Sequence, residues 1–143
     1  MDKKLLEETK KEIAKKVKAL AQEAKKTVEE TKKLRDERDC LEEKKDATPQ
    51  DGKRLFDVRK SLKDLENSYL ERTGKVEDQI SGILKTNVPD EKKDWPDWQK
   101  GMDKWYRDLV EKESGLDVGK DLKLTGEVSI KDKKATLILK GKF

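Results

Sequence analysis

A mainly α protein with a small β element is predicted by three features: seven-residue apolar repeats through the first 87 residues, a cluster of aromatic residues after them, and an alternating apolar pattern at the C-terminus. They specify a long antiparallel, coiled-coil-like helical hairpin (1–87), a short Trp-rich third helix packed on it (88–115) and a C-terminal β-hairpin (116–143). Only 31% of the 143 residues are hydrophobic, and 48% are charged. Ordinary globular domains are roughly 45–50% apolar, so one compact core for the whole chain is not expected. The expected particle is elongated.

The first helix rests on the clearest repeat. Leu6, Ile13, Leu20, Thr27, Leu34 and Leu41 recur every seven residues, with Val17, Ala24 and Thr31 as their companions four residues on. No Gly or Pro interrupts residues 1–46, and most of the remaining residues there are good helix formers. Lys3, Lys10 and Arg38 fall on seam positions, and Thr27 and Thr31 are polar seam residues. Polar residues in a seam lower its stability and set its register, so the helix needs specific partners.

Thr48-Pro49-Gln50-Asp51 reads as a restart: Thr48 can cap a helix, Pro49 suits its first position, and Asp51 lies near the positive end of its dipole. The second helix carries a strict row of Leu55, Leu62, Tyr69, Val76 and Ile83, with Val58, Leu65 and Ile80 beside it. A short connection makes the two helices antiparallel neighbours. Gly74 costs ~1 kcal/mol relative to Ala inside a helix, which predicts a local kink or fraying there. Pro89 and Pro96 mark the start of a third helix from about 96 to 114, with Gly115 as its C-cap.

Beyond Gly115 the apolar period shortens to two. Leu122, Leu124, Val128 and Ile130 alternate before the polar turn Lys131-Asp132-Lys133-Lys134, and Ala135, Leu137, Leu139 and Phe143 alternate after it. A two-stranded hairpin is marginal alone in water, so it must lie on the helices, pair with another chain or begin a larger sheet. Its many lysines read as protection of exposed strand edges, with a basic interaction patch as the second reading.

Composition removes most function classes. Without His, the chain lacks the commonest general base and a common metal ligand. The single cysteine, Cys40, can form neither an internal disulfide nor a thiolate zinc site, and it reads as an exposed thiol. No phosphate-binding loop, dinucleotide fingerprint or nucleophile elbow is present. The aspartates around the aromatic cluster lack the order of a calcium loop. No catalytic residue, cofactor or metal is therefore expected.

A net charge of +4 comes from finely interleaved signs, 15 basic and 13 acidic residues in 1–46 for example, whereas nucleic-acid binding needs Lys and Arg gathered on one face. Nucleic acid is not an expected partner. Neither is a membrane, because no apolar run resembles a signal peptide or a span; the cytoplasm is the expected location.

What remains is a non-enzymatic protein-interaction or scaffolding module, working by self-association or by capture of a partner helix along the seam. Leu20, Leu34, Leu62 and Ile80 are its expected energetic contacts. Trp98, Met102, Trp105 and Tyr106 lie on one face of the third helix and have two readings: core packed on the hairpin, or exposed anchors for a partner. An alternative function uses the same aromatic helix to hold a small apolar ligand or lipid. In topology and charge, residues 1–87 resemble small coiled-coil adaptor and chaperone hairpins. No motif accompanies that likeness, and the Trp-rich helix and β-hairpin have no counterpart in them.

Overall fold

The computed structural model describes residues 2–113 and 123–140. Along the chain come α1 (Lys3–Glu42), α2 (Pro49–Asn87), a 3-10 turn (Lys92–Asp94), α3 (Trp95–Glu113), β1 (Lys123–Ser129) and β2 (Lys134–Lys140). This is the expected mainly α architecture with one small antiparallel sheet. Gly115, Leu122 and Phe143, named above as helix stop and strand residues, lie outside the described residues.

Local chemistry sets the helix starts. The Asp2 carboxylate accepts from the backbone N–H groups of Lys4 and Leu5 at 3.0 and 3.1 Å. At α2 a full capping box forms: the Thr48 hydroxyl accepts from Asp51 N at 3.2 Å, and the Asp51 carboxylate accepts from Thr48 N at 3.0 Å. Those bonds, led by the Thr48 N–H and helped by Lys44, hold the Asp51 carboxyl below its usual range. α2 continues through Gly74, so the expected fraying does not occur. Tyr69, Thr73 and Ile80 on either side of Gly74 are buried, and packing of that kind outweighs a helix-propensity cost of ~1 kcal/mol.

The two long helices are used unequally along their length. Leu6, Ile13, Val17, Leu20 and Ala24 of α1 are buried, as are Tyr69, Ile80 and Leu84 of α2. These residues share one core with α3 and the hairpin. Beyond them only Thr31, Val58 and Leu62 are buried, while Thr27, Leu34, Leu41, Leu55 and Leu65 are half-buried. The molecule thus has a head built from three helices and the β-hairpin, and a two-helix arm, which comprises roughly residues 25–68.

In the head, α3 presents Trp98, Met102, Tyr106 and Val110, each four residues after the last, to the core. The β-hairpin opposes them with Leu124 and Val128 of β1, Ile130 of the turn, and Ala135 and Leu137 of β2. α3 covers β1 and α2 covers β2, so the helices bury the hairpin's apolar face. At Gly126 the approach is closest: a Cβ there would lie 2.9 Å from Tyr106 Cε2, Val110 Cγ2 and Thr136 O. Only glycine fits without displacement.

The turn lies one residue earlier than expected, because Lys134 already pairs with Ser129 as the first residue of β2. Residues 130–133 close it through Lys133 N donating to Ile130 O at 3.1 Å, with Lys133 at φ 50. The strand edges near this turn are capped by helix side chains. The Gln99 amide donates to Val128 O and accepts from Ile130 N, both at 2.8 Å. On the opposite edge, Ala135 N donates to Ser81 Oγ at 3.1 Å and Leu137 N to the Glu77 carboxylate at 3.0 Å. Lys133 pairs with Asp90, whose carboxyl it holds below the usual range, so this lysine is a latch rather than an edge guard.

Candidate interaction surface

The aromatic helix turns inward. Trp98, Met102 and Tyr106 are fully buried and offer no surface to a partner. Tyr106 Oη donates to Thr136 O at 3.1 Å, and the Trp98 indole N–H has no acceptor among the described residues. Trp105 is half-buried, with Lys10 Nζ 5.5 Å from its ring centroid. That contact explains a lysine at a seam position: its stem covers apolar surface while its charge meets a π face. Trp95, also half-buried, donates from Nε1 to Pro89 O at 2.8 Å.

Of the four seam residues expected to contact a partner, Leu20, Leu62 and Ile80 are buried within the chain. Leu34 is half-buried and lines an open depression of about 600 Å³ with Leu65, Glu37, Arg54 and Ser61. Two further depressions, of about 550 and 320 Å³, follow along the same pair of helices. The first is floored by Thr27 and Leu65, the second by Leu20 and Val76. Together they form one groove from Lys16 and Gln79 to Glu37 and Arg54, roughly 31 Å long at ~1.5 Å per residue.

Helix periodicity places this groove on the back of the molecule. At ~100° per residue, Arg54, Ser61, Arg72 and Gln79, which line the groove, lie roughly opposite Glu77, Ser81 and Leu84 on the α2 cylinder. Glu77 and Ser81 are the residues that hold β2. Neither α3 nor the hairpin therefore stands over the groove.

Ion pairs cross it at intervals. Arg54 grips both oxygens of Glu37, Nη2 to Oε2 being 2.9 Å, and its guanidinium holds the Glu37 carboxyl below the usual range. Arg72 Nη1 lies 3.3 Å from Glu23 Oε2. Between them the floor is apolar or hydroxylic. Thr31 and Thr73 are buried and do not line the groove; they donate to the carbonyls of Thr27 and Tyr69, four residues back at 2.7 and 2.8 Å. Satisfied inside their own helices, they impose no register between the helices, contrary to the expectation for polar seam residues. That part falls to Asn87, whose Nδ2 donates to Thr9 Oγ1 at 3.0 Å across α1 and α2.

Sequence reasoning missed the groove-spanning arginines and the exposed apolar residues Phe56 (68% accessible), Leu70 (44%) and Ile138 (49%). Phe56 and Leu70 each follow a seam residue by one position, and that offset was the available signal. Cys40 is exposed, as expected. Among the described residues no helix is long and apolar enough to cross a membrane. Comparisons with protein-family models, with curated proteins and with solved structures returned no match.

Proposed function

We propose that this is a non-enzymatic protein-interaction module whose working surface is the back groove of the helical hairpin, with the head as the folding anchor that holds the hairpin together. The observation behind this reading is the unequal use of the two helices. The head buries its aromatic residues in its own core, whereas the arm leaves Leu34 and Leu65 half-buried in a groove long enough for an amphipathic helix. Helix-in-groove recognition uses such a surface, reading apolar anchors three and four residues apart. The Trp-rich helix, one of the two anchor surfaces weighed from sequence, serves the head instead.

The experiment is capture by the 143-residue chain, comparing Leu34→Glu/Leu65→Glu with Ile138→Glu, an exposed site on the head. Circular dichroism of each variant controls for folding. Loss of bound protein, whether another protein or a tagged copy of the same chain, with the groove variant alone supports the reading. Equal capture by both folded variants overturns it.

A further inference from the structure

Resting on that reading, we infer that the occupant of the back groove is a second copy of this chain, the two arms lying parallel about a two-fold axis along their length to form a four-helix bundle. The charge pattern beside the groove carries this. Arg72 paired with Glu23, and Leu34 sharing a depression with Ser61, set the register of the hairpin: residue n of α1 lies level with about residue 95 − n of α2. Exposed Lys26 and Lys33 form a basic row on the α1 side, one heptad apart. Exposed Asp64 and Glu71 form an acidic row on the α2 side, also one heptad apart, with Lys75 3.7 Å from Glu71 in an exposed pair that a partner lysine can share. Lys33 is level with Asp64, and Lys26 with Glu71, to within about two residues or ~3 Å.

Two copies facing each other across the groove have two simple arrangements. A two-fold axis along the arm sets α1 of one copy against α2 of the other at the same height. Every Lys of the basic row then meets an acid of the partner. An axis perpendicular to the arm sets α1 against α1 and α2 against α2, so that like rows meet. The inner rims repeat the preference, because Glu23 and Glu37 lie on α1 whereas Arg54 and Arg72 lie on α2. Symmetric closure of this kind needs one self-complementary patch, which is what most homodimers use. The heads lie on the opposite face and do not obstruct it.

Area sets the strength. A patch roughly 31 Å long and about two helix diameters (~20 Å) wide removes roughly 600 Å² from each copy, about 1,200 Å² in total. That is the lower bound for a specific stable interface, so the dimer is concentration-dependent. Its charged rims make it weaker in high salt.

The native Cys40 provides the decisive probe, since it is exposed and is the only thiol. It lies roughly 14 residues, ~20 Å, beyond the middle of the groove toward the arm tip. Spin labels on Cys40 of the two copies should lie within ~30 Å of each other in the parallel dimer, against ~40 Å or more in the antiparallel one. Sedimentation equilibrium should show a monomer–dimer transition. Lys33→Glu and Asp64→Lys should each raise its dissociation constant about tenfold or more, because each reversal acts twice in the dimer, and the double variant should restore it. Helicity should stay unchanged throughout. A monomer at every concentration, a dimer with the longer distance, or single reversals without effect overturns the inference. Groove-dependent capture of a different protein by a strictly monomeric chain would leave the interaction reading standing while removing self-pairing.

Discussion

Head and arm are made from the same two helices, yet they differ in what holds them. In the head each long helix packs on a sheet or a third helix as well as on the other, and side chains such as Ile13, Ile80 and Trp98 are wholly inaccessible. Among the described residues each arm helix has only the other, and its seam leaves Leu34, Leu55 and Leu65 half in water. A stripe of apolar residues ~100° wide cannot be covered by one neighbouring helix. The comparison teaches that a helical repeat specifies an apolar face without specifying what covers it. Two neighbours make a core, and one neighbour leaves a groove.

The largest expected effect tests the head as the anchor. Trp98→Ala removes the largest fully buried side chain and should destabilise by about 3–5 kcal/mol, read as a lower denaturant midpoint. Because the same core holds the hairpin's open end together through Leu6, Leu84 and Val88, the arm should lose helicity in the same transition. An arm that stays helical after the head has melted would make the two regions independent and reverse their assigned roles.

Leu62→Ala should cost somewhat less, about 2–4 kcal/mol if its cavity does not collapse. Leu62 is 4% exposed but stands outside the shared core, in a region able to relax. Its loss should speed hydrogen exchange at arm amides far more than at the amides of α3 and the strands. Uniform acceleration across the molecule would show that no boundary exists near residues 25 and 68.

Much of the fold, though not the division into head and arm, was legible in the sequence, for reasons particular elements make clear. The helix starts at Thr48 and near Pro96 follow from residues within one turn of each start, and local chemistry of that kind leaves a local signature. The hairpin's alternation survives because one of its faces is buried. The sides chosen in tertiary packing left no comparable mark. Gln99, Ser81 and Glu77 cap strand edges 29 to 60 residues away, and nothing about a polar residue on a charged helix foretells this. Leu84 and Val88, absent from the expected set, are buried in the shared core where the β-hairpin packs on α2 and α3 packs on α1. For the aromatic cluster both readings, core and anchor, were open, since periodicity shows a shared face and not its neighbour.

A smaller effect separates the regions by pH. Burial pushes the Tyr69 phenol up to about 12, and burial followed by the nearby Glu77 charge raises Tyr106 further. Both residues belong to the head core. Their folded values lie above the ordinary 10.0, so the native state keeps protons that the unfolded chain releases. The resulting stability is complete below pH ~10 and is lost as pH rises through the folded values, at about 1.4 kcal/mol per pH unit for each tyrosine. Denaturant midpoints should therefore fall between pH 10 and 11.5, with a shallower fall in Tyr69→Phe. An identical slope in that variant would show that Tyr69 ionises as readily in the fold as outside it.

The smallest effect is the most local. Thr48 closes the capping box at the far tip of the arm, and Thr48→Ala removes the acceptor for Asp51 N and disrupts the reciprocal arrangement. Caps of this kind are worth about 0.5–2 kcal/mol. Head and arm differ in how that loss should spread. In a molecule anchored only at its head, the tip can open without disturbing anything beyond the arm, so amides in the first turns of α2 should exchange faster while those of α3 and β2 keep their protection. The Asp51 carboxylate sharpens the test. Its pKa is depressed in the fold, so its contribution is present above the unfolded carboxylate range and fades as pH falls through the folded value. Thr48→Ala keeps the backbone N–H that leads this depression, so acidification should loosen the arm tip in variant and parent alike and leave most of the difference between them in place. If the variant instead loses protection in α3 and β2 as well, the arm is part of one cooperative unit with the head, and its groove is held more rigidly than a two-helix arm alone would allow.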